Sequence, residues 1–342
     1  MSDAPAPRGA STAASWPAMV LTAGLGTRLR PLSAVRAKPA LPVAGAPLVG
    51  RILGWLAAGG VRHAVLNLHH LPATITAAVG DGEAFGLAVR YSWERVVLGS
   101  AGGPARALPI LDAERFFVVN GDTLTDVDLE ALAARHVSSG ARVTMALIAN
   151  PDPLHYGGVA VDETGRVTGF PRPGPHNHGW HFVGVQAVEA SVFAGLDPET
   201  PAETVTGIYQ RLVTEDPGAV QAYLSPAAFR DIGTAADYLE TALALAPADG
   251  GPGALIGART KVEPGARVTH SVLWDDVWVG ADAELDHCVV ADRVRVPAGA
   301  RFSHRALVNA SEVPAGADED IVHGLLAVPL DARRRPQARG RD

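Results

Sequence analysis

The stretch Leu21-Thr22-Ala23-Gly24-Leu25-Gly26-Thr27-Arg28-Leu29-Arg30-Pro31-Leu32, with Lys38-Pro39 close behind, is the part of the chain best equipped for chemistry. Glycines without a Cβ let a backbone pass close to a phosphate and leave free N–H groups pointing into the loop. Arg28 and Lys38 add positive charge suited to a triphosphate. The pattern is not a dinucleotide fingerprint, because Leu29 stands where the third glycine of Gly-x-Gly-x-x-Gly belongs, and it lacks the Gly-Lys-Ser or Gly-Lys-Thr of a P-loop. Taken alone, a Gly-x-Gly after a strand also fits a tight strand-to-helix turn. His176, His178 and His181 gather around Gly179-Trp180. No carboxylate lies at ligand spacing, so a polar loop is favoured over a zinc site. Trp180 offers an aromatic face for stacking on a ligand, or packs the core or a lid.

Residues of this kind need elements that deliver them to one edge, and the hydrophobic pattern supplies them. Residues 18–22 read as a strand that opens into the glycine-rich turn, and within 47–58 Leu48, Ile52, Leu53 and Leu56 share one helical stripe. Strands at 64–68, 89–92, 116–119 and 143–148 alternate with helices at 72–79 and 101–111 and with one carrying Leu129, Leu132 and Val137. Such alternation predicts an α/β fold, a Rossmann-like, mostly parallel sheet with helices on both faces. Ligands on such sheets sit at the carboxyl ends of the strands. Beyond Asn150 a hairpin joins 158–161 to 166–170, and the loop 171–179 follows. A strand at 182–188, a helix at 204–213, a strand at 220–223 and a helix at 235–246 complete a first domain.

Residues 247–253, dense in Pro and Gly, form the predicted linker. After it, apolar residues recur six apart at Ile256, Val262 and Val268, and again at Val290, Val296, Phe302 and Val308. Gly-Ala pairs accompany them, as at Gly257-Ala258 and Gly299-Ala300. A six-residue period suits a short parallel β-helix with triangular coils, about three of them, in which each face contributes one inward residue. The two series fall out of phase between Val268 and Val290, which implies an insertion or an irregular coil. Trp274 and Trp278 are expected to pack this coil or its contact with the first domain, and Cys288 to act as a small buried apolar residue.

The 342 residues suit two domains, 17–247 and 254–313, between tails at 1–16 and 331–342, the second rich in arginine. With 47% hydrophobic and 19% charged residues the chain can build a sizeable core and is not disordered. A net charge of −7 argues against a broad grip on nucleic acid, though not against a local anion site. A single cysteine excludes an internal disulfide and fits a cytoplasmic setting. No apolar run approaches a membrane span, and no signal peptide is expected.

The loop with Gly24, Gly26, Thr27, Arg28, Pro31-Leu32 and Lys38-Pro39 closely resembles the nucleotide-binding motif of the sugar-1-phosphate nucleotidylyltransferase family. Further matches follow in the family's order. Residues 98–103, Leu-Gly-Ser-Ala-Gly-Gly, resemble the segment that touches base and ribose. Asn120-Gly121-Asp122 resembles the metal-binding strand end, Tyr156-Gly157-Gly158 a sugar-site turn, and Asp231-Ile232-Gly233-Thr234 the second metal-binding position. The resemblance runs from about Ala18 to Val313, and many members carry a C-terminal left-handed β-helix.

The resemblance implies Mg²⁺-dependent transfer of a nucleoside monophosphate from a nucleoside triphosphate to a sugar 1-phosphate, with release of pyrophosphate. It assigns nucleotide binding to Leu21, Ala23, Gly24, Gly26, Thr27, Arg28, Lys38 and Gly102, with Arg28, Lys38 and Asp122 in catalytic roles. Asn120, Gly158, Arg172 and Gly184 would bind the sugar phosphate, and Asp122 and Asp231 the Mg²⁺. One departure stands out: Pro171-Arg172 replaces the Glu-Lys pair common in the family, so Arg172 keeps a charge and no carboxylate remains for sugar hydroxyls. The β-helix is similar to that of mannose-1-phosphate guanylyltransferases. The segment 181–185 is similar to the N-acetylmuramate 1-phosphate uridylyltransferase branch. Alternatives are a non-catalytic sugar-nucleotide-binding subunit and an acyltransferase built on the coil. The retained cations and carboxylates favour an enzyme, and the short coil favours a homo-oligomerisation unit.

Overall fold

The structure, a computed structural model, describes residues 16–246, 253–313 and 321–330. The predicted tails at 1–15 and 331–342, and residues 247–252 of the predicted linker, lie outside the described residues. Contacts divide the chain into two compact units that do not follow a single cut. The first holds residues 16–24, 49–72 and 76–230, and the second holds 25–48, 73–75 and the described residues from 231 onward.

The first unit is built on seven strands: β1 (Ala18–Leu21), β2 (His63–Leu68), β3 (Ala88–Trp93), β4 (Arg115–Asn120), β5 (Val143–Ile148), β6 (His181–Glu189) and β7 (Val220–Leu224). Their order is β7-β5-β6-β4-β1-β2-β3. All neighbours are parallel except β6, which runs antiparallel to both β4 and β5. The inner strands are apolar runs, as burial on two faces demands, and β5 is buried at every residue. The edge strand β3 alternates buried and open positions.

Helices cover the sheet. Helix α1 (Gly99–Leu111) packs on β1, β2 and β3, and α2 (Leu129–Ser139) on β5, β6 and β7. The start of α2 is fixed by the Asp128 carboxylate, which accepts from the Ala131 N–H at 3.0 Å, and its end by Gly140 in the left-handed region. His136 completes the buried stripe of Leu129 and Leu132, while Val137 on the next position stays 48% exposed. Trp16 departs from the tail predicted at 1–16. Its ring is buried, 5.4 Å from Phe117 and 5.6 Å from His136, because an indole of that size finds apolar cover there. The predicted hairpin forms, with Val167–Gly169 antiparallel to Ala160–Val161. Among the described residues no helix is long and apolar enough to cross a membrane.

The second unit contains three stacked coils of parallel strands. Leu255 pairs with Val272, Val272 with Val289 and Val289 with Ala306. The other two faces repeat the same step, Lys261 to Trp278 to Arg295 and Arg267 to Glu284 to Arg301. Each coil is therefore 17 residues long. The phase break near Val268–Val290 is not an insertion or an irregular coil, as the spacing had implied. Two steps are six residues and the third is five, so Val268 is followed inward by Leu273, Leu285 by Val290 and Phe302 by Leu307. Arg305–Asn309 then takes on an antiparallel strand, Leu325–Pro329, that no sequence signal had announced. Cys288 is fully buried in this core and burial pushes its thiol up to about 11, as expected for an inert apolar filler.

The segment that follows the glycine turn belongs to this same unit. It forms three short turns, Thr27–Leu29, Leu32–Ala34 and Lys38–Ala40, in place of a regular helix. Arg36 lies between the last two. Its Nε and Nη2 donate to the two oxygens of Asp292 at 2.6 and 2.7 Å, and Nη2 also donates to Asp275 at 2.8 Å. The guanidinium sits 5.4 Å above the Trp274 ring, and Trp274 Nε1 donates to the Tyr238 hydroxyl at 2.9 Å. Burial alone would push the Arg36 pKa down, and the two carboxylates reverse that. Removing the guanidinium leaves Asp292 buried without its forked partner. We expect Arg36→Ala to lower stability by about 2 to 3 kcal/mol in urea denaturation, and Arg36→Lys to recover less than half, since an ammonium cannot fork.

Candidate active site

In the first unit, the carboxyl end of β1 is set against that of β4, with Leu21 in register with Asn120. The Gly121 N–H donates to the Leu21 carbonyl at 3.0 Å, and a Cβ at Gly121 would collide with that same carbonyl oxygen. Glycine is required at 121 for this close approach, and Asp122, half-buried, comes next at the sheet edge. Gly184 interrupts the β6 register with a φ of 80°, and a Cβ there would lie 2.6 Å from Asn120 Nδ2. Asn120 and Gly184, both predicted to bind the sugar phosphate, are thus neighbours.

A buried polar network ties the strand ends together. The Thr22 N–H donates to Asn67 Oδ1 at 2.7 Å, and the Thr22 hydroxyl donates to the Asn67 carbonyl. Asn67 Nδ2 donates to Glu94 Oε1 at 2.7 Å, and the other Glu94 oxygen accepts from the Leu98 N–H at 2.9 Å. The chain therefore couples the ends of β1, β2 and β3 to the start of α1. No sequence motif marks Glu94, since its partners stand 27 residues before it and 4 after it.

The glycines of α1 serve packing inside the protein. A Cβ at Gly103 would meet Asn67 Nδ2 at 2.8 Å and Glu94 Oε1 at 3.0 Å, and one at Gly102 would meet the Thr200 carbonyl at 3.0 Å. The Gly102 N–H points to the Ala202 carbonyl at 3.2 Å. The protein's own segment 200–202 thus fills the space beside Gly102, and Asn67 and Glu94 fill that beside Gly103.

Gly158 and Arg172 line one cleft of about 480 Å³ with Phe170, Pro171, His181 and Phe182. A Cβ at Gly158 would overlap the Asn177 side chain, which is buried, donates to the Tyr156 carbonyl at 2.9 Å and accepts from the Gly179 N–H at 3.1 Å. Asn177 thereby holds the 171–179 loop together, a role that no sequence pattern marks. The three histidines of this region do not converge. His176 and His178 are exposed, while His181 is buried between the rings of Tyr156 and Phe229 at 4.6 and 4.4 Å. Burial pushes the His181 imidazole down to about 4, against a weaker upward pull from the Gly157 backbone, so the ring is neutral at pH 7.

In the second unit, Gly26 adopts the left-handed conformation at φ 59°. Its carbonyl accepts from the Leu29 N–H at 2.9 Å and from the Ser33 hydroxyl at 2.8 Å, which closes the loop into a tight turn. A Cβ at Gly26 would touch Ser33 at 3.1 Å and Lys38 at 3.4 Å, so the buried Lys38 stem packs beside the turn. Arg28 is exposed, and its Nη1 reaches within 3.1 Å of the Cβ position of Gly233. Asp231 Oδ2 lies 3.0 Å and Asp237 Oδ2 3.2 Å from that same point. Arg28 and Asp231 are therefore brought together, and Asp237 is fixed by a reciprocal cap with Thr234 at the start of Ala235–Ala244.

Residues 17–247 match the nucleotidyl transferase family model, and residues 252–310 the GlmU-like C-terminal hexapeptide model. The chain belongs to the nucleotidyl transferase family. Its coils are accordingly the left-handed parallel β-helix of hexapeptide proteins. A mannose-1-phosphate guanylyltransferase of Mycobacterium tuberculosis is 32% identical over 296 residues, covering 77% of this chain and 81% of that protein. An N-acetylmuramate alpha-1-phosphate uridylyltransferase of Neisseria meningitidis is 48% identical over 115 residues, covering 33% of this chain and half of that protein. Among solved structures, HddC of Yersinia pseudotuberculosis, crystallised with GMP-PN, aligns with a TM-score of 0.58 at 22% identity. That alignment covers 66% of this chain and 98% of HddC, and it concerns the fold. The protein is an enzyme of the sugar-1-phosphate nucleotidylyltransferase class.

Two outcomes test this geometry. Glu94→Leu leaves the Asn67 amide and the Leu98 N–H without their acceptor and should cost about 2 to 5 kcal/mol in urea denaturation, with Glu94→Gln retaining part of the loss. For His181, the unfolded chain takes up a proton near pH 6.5 and the folded ring only near 4. The fold is therefore unpenalised above pH 6.5 and loses stability as pH falls from 6.5 towards 4. An NMR titration of the His181 ring should give a midpoint near 4, and a midpoint near 6.5 contradicts the burial.

Proposed function

We propose that the enzyme joins mannose 1-phosphate to the α-phosphorus of GTP, forming GDP-mannose and pyrophosphate. The observation that carries the choice of base and sugar is the guanylyltransferase relative, whose similarity extends over 296 residues of this chain. A second reading, uridylyl transfer to an amino-sugar 1-phosphate, is favoured by the 48% identity to the uridylyltransferase over a shorter stretch. The transferase part, 17–247, and the β-helix part, 254–313, are read as separate domains in a cytoplasmic enzyme that self-associates through its coil.

The donor set suits Mg²⁺. Asp122 is half-buried at a sheet edge and Asp231 stands beside Arg28, which gives hard carboxylate oxygens of the kind that this ion prefers. When bound, Mg²⁺ would neutralise charge on the triphosphate. The nucleophile is an ionised phosphate oxygen of the sugar 1-phosphate, so no general base is needed. Its lone pair forms the new bond to the α-phosphorus as the bond to the bridging α–β oxygen breaks, and that electron pair departs with pyrophosphate. Gly24 and Gly26, with Leu21, Ala23 and Thr27, let backbone amides approach the triphosphate. Arg28 steadies the leaving β- and γ-phosphates, and Lys38 holds the α-phosphate. Asn120, Gly158, Arg172 and Gly184 receive the sugar phosphate, with Arg172 supplying the charge.

Pyrophosphate release with each nucleoside triphosphate against a panel of sugar 1-phosphates should peak for GTP with mannose 1-phosphate. A peak with UTP and an amino-sugar 1-phosphate overturns that assignment. Asp122→Asn should lower kcat by at least about a hundredfold while nucleotide binding remains measurable by calorimetry. Unchanged turnover would refute the metal role. Light scattering should report a multiple of 35.4 kDa, and a monomeric mass would overturn the coil as an assembly unit.

A further inference from the structure

The three corners of each coil all need a residue in the left-handed region. One corner fills it with Arg259, Asp276 and Arg293, and another with Gly265, Asp282 and Gly299. The third uses histidine in every coil: His270, His287 and His304, at φ 45°, 51° and 53°. Nothing in the corner geometry requires histidine, since the other two corners do without it. Parallel coils rise by about 4.8 Å, so side chains at the same register stack. The His270 and His287 rings lie 4.6 Å apart, as do those of His287 and His304.

A carboxylate enters this ladder at one level. Asp286 Oδ1 lies 3.3 Å from His270 Nδ1, and Oδ2 lies 3.0 Å from His287 Nδ1. One ring nitrogen of each histidine and one carboxylate oxygen all fall within 4.8 Å of one another, and among the described residues no other group of three or more His, Cys, Asp or Glu does so. At the next level the partner is a serine: the Ser303 hydroxyl is 2.8 Å from His304 Nδ1.

We propose that His270, Asp286 and His287 form a zinc-binding site on the outside of the β-helix. Two imidazoles and one carboxylate are the donor set of a three-ligand zinc site whose fourth position is open to water, whereas Mg²⁺ and Ca²⁺ favour oxygen alone. Donors about 2.1 Å from a tetrahedral ion stand about 3.4 Å apart. The two His–Asp distances, 3.3 and 3.0 Å to the two oxygens of one carboxylate, lie close to that spacing. The stacked rings must turn to aim both Nδ1 lone pairs at one point, and side chains that are 57% and 40% exposed are free to do so. The Thr269 hydroxyl donates to Asp286 Oδ1 at 2.7 Å and holds the carboxylate in place beside the two rings. The site shares no residue with the transferase site and stands independently of that function.

The test uses the full chain without a polyhistidine tag, stripped with chelator and titrated with Zn²⁺ against a chromophoric competitor. The wild type should bind one more Zn²⁺ per chain than the double variant His270→Gln/His287→Gln. Asp286→Asn should weaken that site at least tenfold, and His304→Gln should leave it unchanged. Equal stoichiometry and affinity in the wild type and the double variant would overturn the proposal. X-ray absorption on the zinc-loaded wild type supplies a readout that does not depend on variants folding: two imidazoles at about 2.0 Å are expected. A spectrum without imidazole scattering refutes the site.

Discussion

Arg36 gathers Asp275 and Asp292 from two successive coils, and the geometry of the second unit depends on that junction. The two carboxylates are 17 residues apart and meet one guanidinium only because the coil returns with that period. The same guanidinium rests on Trp274, whose indole is tied to Tyr238, and the Tyr238 hydroxyl donates to the Pro42 carbonyl. The segment with Arg28 and Lys38 is thereby fastened to a rigid stack. Within the second unit the β-helix thus serves as the support on which the segment carrying Arg28 and Lys38 is built.

A different device organises the first unit. Hydrogen bonds from Thr22 through Asn67 to Glu94 and Leu98 join three strand ends to a helix start in a buried setting, where any member left unpaired carries a desolvation cost. Gly103 permits that network to close and Gly121 permits the ends of β1 and β4 to touch. Glycines in a nucleotide site are commonly explained by ligand approach. In this chain Gly102, Gly103 and Gly121 are explained by the protein's own backbone and buried side chains, and Gly24, with nothing within 4 Å of its Cβ position, is the one left open.

The alternation of strands and helices was legible because the period of an apolar pattern is a local property, read within a dozen residues. The hexapeptide coil was legible for the same reason. Its true length was not, because a corner shortened by one residue shifts the phase of all that follows. The resulting break imitates an insertion until strand pairing reveals 17-residue coils. Trp16 illustrates a related limit, since whether a terminal aromatic is tail or core depends on Phe117 and His136, about a hundred residues away.

Residue types and short spacings alone determined the family and marked out the glycine turn at Gly24 and Gly26, because each is encoded within a few consecutive residues. Tertiary structure alone decided that Glu94 and Asn177 hold the site's loops, that Arg36 anchors the loop segment, and that His270, Asp286 and His287 converge while His176, His178 and His181 do not. The physical reason is distance along the chain. A hydrogen bond or a shared ligand sphere needs atoms a few ångströms apart in space, and residues 17, 27 or 256 positions apart meet that condition only through the register that the fold imposes.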